Sequence, residues 1–187
     1  MRDVTVTYLE LPLGPAPAPA APPPFPEGFT LRRCPRVQPE LNRFLYTAVG
    51  GPWYWTDKLG WTWTEWVALL TQPGYETWIL AEGGSIAGYF ELAADAAADA
   101  VDIALFGLLP AYFGRGLGRP LLEAAIARVR ALGARRCTVN TCTLDHPAAL
   151  PNYRARGFRV VRTAVTQKDL PPVPPGPWPG AGAPLAP

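Results

Sequence analysis

The chain has 187 residues, of which 49% are hydrophobic and 17% are charged, and its formal net charge is +2. A chain of this length is expected to form one domain that buries about 70% of the surface exposed by its unfolded form. The weak, dispersed charge argues against a nucleic-acid-binding protein, which usually carries a strongly basic face. No stretch approaches the roughly 18 consecutive apolar residues of a membrane span, and the N-terminus lacks a signal-peptide pattern, so we expect a cytoplasmic location.

The first predicted element is a strand at residues 4–11, where β-branched and aromatic residues recur in rough alternation. We expect this strand at an edge of the sheet. Seven prolines follow within residues 14–26, and eight more lie in residues 171–187. Neither stretch can form a helix or a sheet ladder, because proline lacks the backbone N–H. We therefore divide the chain into an N-terminal strand with a proline-rich linker (1–28), a folded domain (29–166) and a proline-rich tail (167–187).

Between the two proline-rich stretches, the hydrophobic pattern predicts strands at 29–33, 77–81, 85–92, 101–109, 136–143 and 158–165, and helices at 39–49, 64–70, 117–132 and 147–156. Glu82-Gly83-Gly84 favours a hairpin turn between two of the strands. The strand at 101–109, the following helix and the strand at 136–143 form a βαβ unit, whose strands should be parallel. The expected fold class is α/β, with a mixed, mostly antiparallel sheet and helices on both faces.

A glycine loop follows the central strand at 101–109 and leads into a helix that begins near Leu117. Its glycines allow positive φ angles and a close approach of the backbone to a ligand. The first amides of a helix lack intrahelical partners, and together with the helix dipole they favour an anion. We therefore predict a phosphate or pyrophosphate site formed by Gly114, Arg115, Gly116, Leu117, Gly118 and Arg119.

Spacing separates the three kinds of phosphate loop that this stretch can represent. The Walker loop requires Gly-Lys followed by Ser or Thr, but Gly118-Arg119-Pro120 stands here. The dinucleotide-binding loop requires G-x-G-x-x-G and an acidic residue about 20 positions later. The present glycines run G-x-G-x-G, and Arg135 and Arg136 occupy the later region. Both interpretations are disfavoured.

In the third interpretation, the loop is the cofactor-binding loop of an N-acetyltransferase, because the chain resembles the GNAT superfamily at several separated places. The superfamily signature begins with Gln or Arg, followed by any two residues, Gly, any one residue, and Gly or Ala. It aligns with residues 113–118, where Phe113 replaces the leading polar residue. Residues 149–158 look like the later A-x-x-L-Y-x-x-x-G-F block, with Asn152 for its usual Leu, and His146 stands where Asn is common. The resemblance covers about residues 29–165 and implies the GNAT fold.

The resemblance implies acetyl-CoA as the cofactor, with its pyrophosphate on the glycine loop. Its pantetheine arm would run along the backbone of Phe106, Gly107 and Leu108, where the central strand splays from the next strand. Tyr153 falls on the family tyrosine that often protonates the departing thiolate. The reference pKa of tyrosine, near 10, keeps the hydroxyl protonated at neutral pH, as a general acid must be.

Two carboxylates are candidates for the base that deprotonates the amine. Asp102, on the central strand, stands where some family members place a glutamate that acts through water. Glu91 lies on the neighbouring predicted strand between apolar residues. Carboxylates in apolar surroundings tend to have a raised pKa, which favours basicity. The alternative for each is a solvated acid without a catalytic role.

Five tryptophans and a tyrosine crowd into residues 53–66. In the GNAT superfamily this region commonly forms a wall of the acceptor site, so we predict that Trp53, Tyr54 and Trp55 bind the substrate. Aromatic rings there can stack on a planar acceptor or hold a cationic amine. The alternative is that the tryptophans pack the connection onto the sheet. Asp57 and Glu65, in the same stretch, are candidate partners for a positively charged substrate.

The remaining reactive side chains have simpler interpretations. Asp145 and His146 precede Pro147, a pattern typical of a helix cap, with Asp145 or His146 near the N-cap and Pro147 near the first helical position. There is only one histidine and no C-x-x-C pair, so we expect no metal site. We expect reduced thiols at Cys34, Cys137 and Cys142.

These observations predict an N-acetyltransferase that moves an acetyl group from acetyl-CoA to a primary amine, on a small molecule or a peptide, by direct attack. A relay through Cys142 is the mechanistic alternative. The functional alternative is a non-catalytic acyl-CoA sensor, which is favoured by Phe113 in place of the polar residue of the family loop. A third possibility is an interaction protein that docks through its proline-rich ends. We expect no nucleic acid or membrane partner, and a homodimer is compatible with the resemblance.

Overall fold

The computed structural model of the protein describes residues 1–14, 24–178 and 181. Most of the predicted linker and the end of the predicted tail therefore lie outside the described residues. No helix in the described ranges is long and apolar enough to cross a membrane.

Seven strands and four α-helices form from the described residues. The strands are β1 (Arg2–Pro12), β2 (Phe29–Arg33), β3 (Glu76–Glu82), β4 (Ser85–Asp95), β5 (Ala100–Leu108), β6 (Arg136–Cys142) and β7 (Arg159–Lys168). The helices are α1 (Pro39–Gly50), α2 (Trp63–Leu70), α3 (Gly118–Ala131) and α4 (Ala149–Ala155), and short 3₁₀ turns lie at Gly51–Trp53 and Pro110–Tyr112. Every predicted strand and helix is present, with ends shifted by a few residues at most.

The strands form one sheet in the order β2-β3-β4-β5-β6-β1-β7. Every neighbouring pair is antiparallel except β5 and β6, which are parallel. Helices α3 and α4 pack on the face that carries Phe90, and helices α1 and α2 pack on the face that carries Tyr89. Adjacent strand residues point to opposite faces, so the helices cover both sides of the sheet. The predicted mixed α/β fold is confirmed.

The first strand lies inside the sheet, so its predicted position at an edge is wrong. Val6 of β1 pairs with Cys142 of β6 on one side and with Ala164 of β7 on the other. Leu9 of β1 is only 1% exposed and belongs to the main core. Alternating apolar residues occur in edge strands as well as in interior strands of a half-covered sheet, which is why the sequence pattern did not distinguish the two positions.

Strands β5 and β6 separate soon after they meet. Their pairing covers only Ala100–Asp102 on β5, opposite Arg136–Thr138 on β6. Strand β5 continues to Leu108 along β4, and β6 continues to Cys142 along β1. A gap therefore opens between β5 and β6 towards their carboxyl ends, beside the loop that leads into α3.

Candidate functional site

A cavity of about 870 Å³ occupies the gap between β5 and β6. Part of its lining comes from the loop before α3 and from α4, which belong to one face of the sheet. Another part comes from α1 and the aromatic connection after it, which belong to the opposite face. The cavity therefore connects the two faces of the sheet through the gap.

The glycine loop has the backbone that its sequence predicts. The φ angles of Gly114 and Gly116 are +73° and +74°, and apart from the adjacent residues no atom of the described chain would lie within 4 Å of a Cβ at either position. Within the described ranges, the amide N–H groups of residues 114–119 have no backbone or side-chain acceptor. Consecutive free amides beside a helix N-terminus form a site suited to an anion.

The two loop arginines have different surroundings. Arg119 lines the cavity, and its Nε donates to Glu123 Oε1 at 2.9 Å. The Arg115 side chain does not line the cavity and donates to both Glu82 oxygens, at 3.0 and 2.7 Å. Binding of the pyrophosphate by the Arg115 guanidinium stays a prediction that requires this ion pair to open, whereas its backbone amide is already available.

Arg156 is a cavity residue that the sequence reasoning missed. Its side chain is 16% exposed and lies 3.5 Å from Glu123, and its Nη1 donates to the Asn152 carbonyl at 3.2 Å. It lines the cavity and shares Glu123 as a partner with Arg119 of the glycine loop. The only available signal was its place three residues after Tyr153, at a variable position of the family block.

Tyr153 projects from α4 into the lining of the cavity and is 5% exposed. Its ring packs edge-on between Phe106 of β5 and Phe158, with centroid distances of 6.2 and 5.9 Å. Burial, followed by the charges of Asp145 and Asp102, raises the pKa of its hydroxyl. The hydroxyl is therefore protonated at neutral pH and can donate a proton to a reacting atom in the cavity.

Neither predicted base lines the cavity. Glu91 is fully buried and accepts hydrogen bonds from Asn42 Nδ2 at 2.6 Å and from the Tyr75 hydroxyl. Asp102 lies where the pairing of β5 with β6 ends, and it accepts from Thr138 Oγ1 at 2.6 Å. Burial raises the pKa of both carboxyls, although these hydrogen bonds oppose the shift. The role of either residue as a base stays a prediction.

The three residues predicted to bind the acceptor, Trp53, Tyr54 and Trp55, all line the cavity. Trp53 packs against His146 and Phe113, with ring centroids 5.0 and 6.4 Å away. The residue at the polar position of the family loop, Phe113, therefore belongs to this aromatic wall. The alternative interpretation, packing of the connection, applies to Trp66, which is 1% exposed in a separate core cluster.

Asp145 has surroundings that differ from the predicted helix cap. Helix α4 begins at Ala149, and the cap residue is Ala148, whose N–H donates to His146 Nδ1 at 3.0 Å. The expected cap at Asp145 or His146 is therefore wrong, because a turn separates β6 from the helix. The Asp145 carboxylate instead lines the cavity and accepts from Trp55 Nε1 at 3.2 Å. No local sequence signal marks a contact across 90 residues.

The thiol of Cys142 also lines the cavity and is half-buried. Burial and the nearby charge of Asp145 raise its pKa. A cysteine nucleophile acts as its thiolate, so this environment disfavours a covalent relay through Cys142 at neutral pH.

Three solved structures that share this fold are only distantly related to the chain in sequence. A GCN5-related N-acetyltransferase from Sphaerobacter thermophilus gives a TM-score of 0.65 at 20% identity over 87% of this chain and 50% of that chain. One from Kribbella flavida gives 0.56 at 20% identity over 86% of this chain and 56% of that chain. The ribosomal-protein-S18-alanine N-acetyltransferase from Escherichia coli gives 0.52 at 19% identity over 70% and 77% of the respective chains.

The chain thus spans about half the length of the first two structures. Comparison with curated proteins gives no match. The protein-family model of the acetyltransferase (GNAT) family matches residues 36–158, which make up more than half of the chain and include both the glycine loop and Tyr153. The chain belongs to the GNAT family of acetyltransferases.

Proposed function

We propose that the protein transfers an acetyl group from acetyl-CoA to a primary amine by direct attack of the amine. The supporting observation is the cavity, which joins the free amides of residues 114–119 to the aromatic wall through the gap between β5 and β6. A donor and an acceptor that approach from opposite faces of the sheet would meet in this gap.

The residues around the gap fit the parts of coenzyme A. The amides of residues 114–119 suit the pyrophosphate, and Arg119 and Arg156 add positive charge to the same part of the cavity. Beyond Asp102, the edge of β5 that faces β6 has no strand partner among the described residues, so backbone groups at Phe106 and Leu108 are candidates to hold the amide-containing pantetheine arm. Acetyl-CoA would supply the activated acetyl group as a thioester.

The reaction also requires two proton transfers, one to the leaving sulfur and one from the attacking nitrogen. When the amine nitrogen forms its bond to the carbonyl carbon and the carbon–sulfur bond breaks, the Tyr153 hydroxyl gives its proton to the leaving sulfur. The attacking nitrogen must also lose a proton. Because neither Asp102 nor Glu91 borders the cavity, a base function of either residue requires a bridging water.

Gly118→Asp tests the cofactor part of the proposal. Gly118 is the first residue of α3, and a Cβ there would have only Asn152 Nδ2 within 4 Å, at 3.9 Å. An aspartate at a helix N-terminus is compatible with folding but puts a negative charge where the pyrophosphate is proposed. We expect the affinity for acetyl-CoA to fall at least about 100-fold in calorimetry, because juxtaposed like charges cost several kcal/mol.

Gly118→Asn is the matched control, since it has nearly the same size without the charge and should bind more tightly than Gly118→Asp. Thiol release is then measured with a panel of arylalkylamines, polyamines, amino acids and peptides. Turnover of any primary amine supports the acetyltransferase. Binding of acetyl-CoA without turnover on any amine supports the sensor instead, and a wild type that does not bind acetyl-CoA overturns both.

A further inference from the structure

The aromatic half of the cavity, which we define as the part lined by Tyr46, Trp53, Tyr54 and Trp55, contains one carboxylate without a cationic partner among the described residues. Two aspartates line this half, Asp57 and Asp145. Lys168 Nζ lies 3.1 Å from both oxygens of Asp57 and balances its charge. In the described part of the chain, no lysine or arginine forms an ion pair with Asp145. The stretches outside it contain no lysine or arginine.

Neutral groups hold the Asp145 carboxylate in place. Oδ1 accepts from Trp55 Nε1 at 3.2 Å, and Oδ2 accepts from Thr141 Oγ1 at 2.7 Å and from the Cys142 amide at 2.9 Å. These donors fix the orientation of the carboxylate, but all of them are neutral, so none forms an ion pair with it. A carboxylate has about four acceptor positions, so at least one remains for a further donor. A protonated amine supplies both the missing donor and the missing charge.

The surroundings of Asp145 suit an apolar or aromatic body beside that amine. Trp55 lies between Asp145 and Tyr46, whose ring centroid is 5.5 Å from that of Trp55. Trp53 and Val6 line the same cavity. Such rings contribute packing and, with their negative faces, favourable contact with a cation.

A second positive charge on the acceptor would have no partner in this half of the cavity. Asp57 is already paired with Lys168. Lys58 also lines the cavity, and its Nζ lies over the rings of Trp61 and Tyr46, 4.9 and 5.7 Å from their centroids. Lys58 therefore occupies a cation–π position and would repel another cation.

From these contacts we infer that Asp145 binds the acceptor amine as its ammonium ion, that this ion passes one proton to water before the neutral nitrogen attacks the thioester, and that the acceptor is a small monoamine with an aromatic or apolar body rather than a polyamine. This inference rests on the proposed acetyl transfer and specifies its substrate class. The charge of Asp145 also raises the pKa of Tyr153, which is consistent with the amine site lying close to the proton donor.

The first test compares 2-phenylethylamine with spermidine as acceptors for the wild-type protein. We expect kcat/KM for 2-phenylethylamine to be at least about 10-fold higher, because its ring can pack against the aromatic residues, whereas spermidine would bring further positive charges into a cavity that Lys58 also lines. A preference for spermidine overturns the inference. This comparison needs no variant, so it holds even if substitutions at Asp145 impair folding.

The second test uses Asp145→Asn, with Asp99→Asn as the matched control at an exposed turn outside the cavity. We expect Asp145→Asn to raise KM for 2-phenylethylamine about 10- to 100-fold and to bind acetyl-CoA with nearly unchanged affinity. Inhibition by the neutral analogue 2-phenylethanol should change little, since that molecule has no charge to lose. Asp99→Asn should leave all three quantities unchanged.

The outcomes separate this inference from the proposed function. If the wild type acetylates amines and Asp145→Asn leaves KM unchanged, or Asp57→Asn raises KM instead, the inference is overturned and the acetyltransferase proposal stands. An equal effect of Asp145→Asn on 2-phenylethylamine and 2-phenylethanol would mean that Asp145 shapes the cavity without binding the ammonium group, which also overturns it. A wild type that does not bind acetyl-CoA overturns both proposals.

Discussion

Replacing Tyr153 by phenylalanine removes the proposed proton donor and little else. The ring is packed between Phe106 and Phe158, and phenylalanine keeps both contacts. A positioned general acid contributes about 10²–10⁴-fold to a rate. We therefore expect kcat for acetyl transfer from acetyl-CoA to fall by at least about 10²-fold in Tyr153→Phe, with little change in the affinity for acetyl-CoA.

The same structure predicts how little the substitution should affect stability. The side-chain hydrogen bonds of the described residues include none to the Tyr153 hydroxyl, and Tyr153 lines the cavity, so removal of the hydroxyl leaves no buried group unpaired. The free energy of unfolding should change by less than about 1 kcal/mol, which corresponds to about 2–4 °C in Tm for a chain of this size. Tyr153→Ala should instead lower the free energy of unfolding by about 3–5 kcal/mol, because it also removes the buried ring.

Single-turnover kinetics should be used, so that product release does not mask the chemical step. A second acetyl thioester, with a more acidic leaving thiol, tests the specific role of the hydroxyl. That thiolate needs less help from a proton donor, so the defect of Tyr153→Phe should shrink. An unchanged rate, or an equal defect with both donors, would refute the assignment of Tyr153 as the general acid.

Two further predictions concern the sheet and its buried acid. Thr7 pairs with Thr141 of β6 and with Thr163 of β7. Thr7→Pro should therefore lower the free energy of unfolding by about 1–3 kcal/mol relative to Thr7→Ala, as measured in a denaturant titration. Equal stability of the two variants would contradict an interior position of β1. Burial raises the pKa of Glu91 above its ordinary 4.5, even though hydrogen bonds and Lys58 oppose the shift. Above pH 4.5 the unfolded chain therefore releases this proton first, and stability falls as pH rises towards the folded pKa. The Tm of Glu91→Gln relative to wild type should accordingly increase between about pH 4 and about pH 8, and a constant difference would speak against the raised pKa.

The elements of the fold were predictable because their signals are local. The strand at Phe29–Arg33 has its predicted ends, and Gly114 and Gly116 have the positive φ angles that their spacing predicts. Hydrophobic periodicity and glycine positions record the conformation of each segment without reference to distant residues. The parallel pairing of β5 and β6 follows from the helix between them.

The candidate site was predictable only in part. Residues 113–118 and Tyr153 could be located through their resemblance to family motifs, and Trp53, Tyr54 and Trp55 through their crowding in the sequence. All of these except Arg115 line the cavity. Apolar neighbours predict a raised pKa for the carboxyls of Glu91 and Asp102, which the structure supports, but neither such neighbours nor the family position of Asp102 reveals whether a side chain reaches a cavity.

The sequence by itself determined the local elements, the glycine loop and the identity of the family. Tertiary structure alone decided that β1 fills the space between β6 and β7, that Arg115 pairs with Glu82 instead of lining the cavity, and that Trp55 meets Asp145. These contacts join residues 33 or more positions apart. The hydrophobic periodicity of the sequence does not predict these contacts, because they form only when separate segments pack together and compete for the same partners.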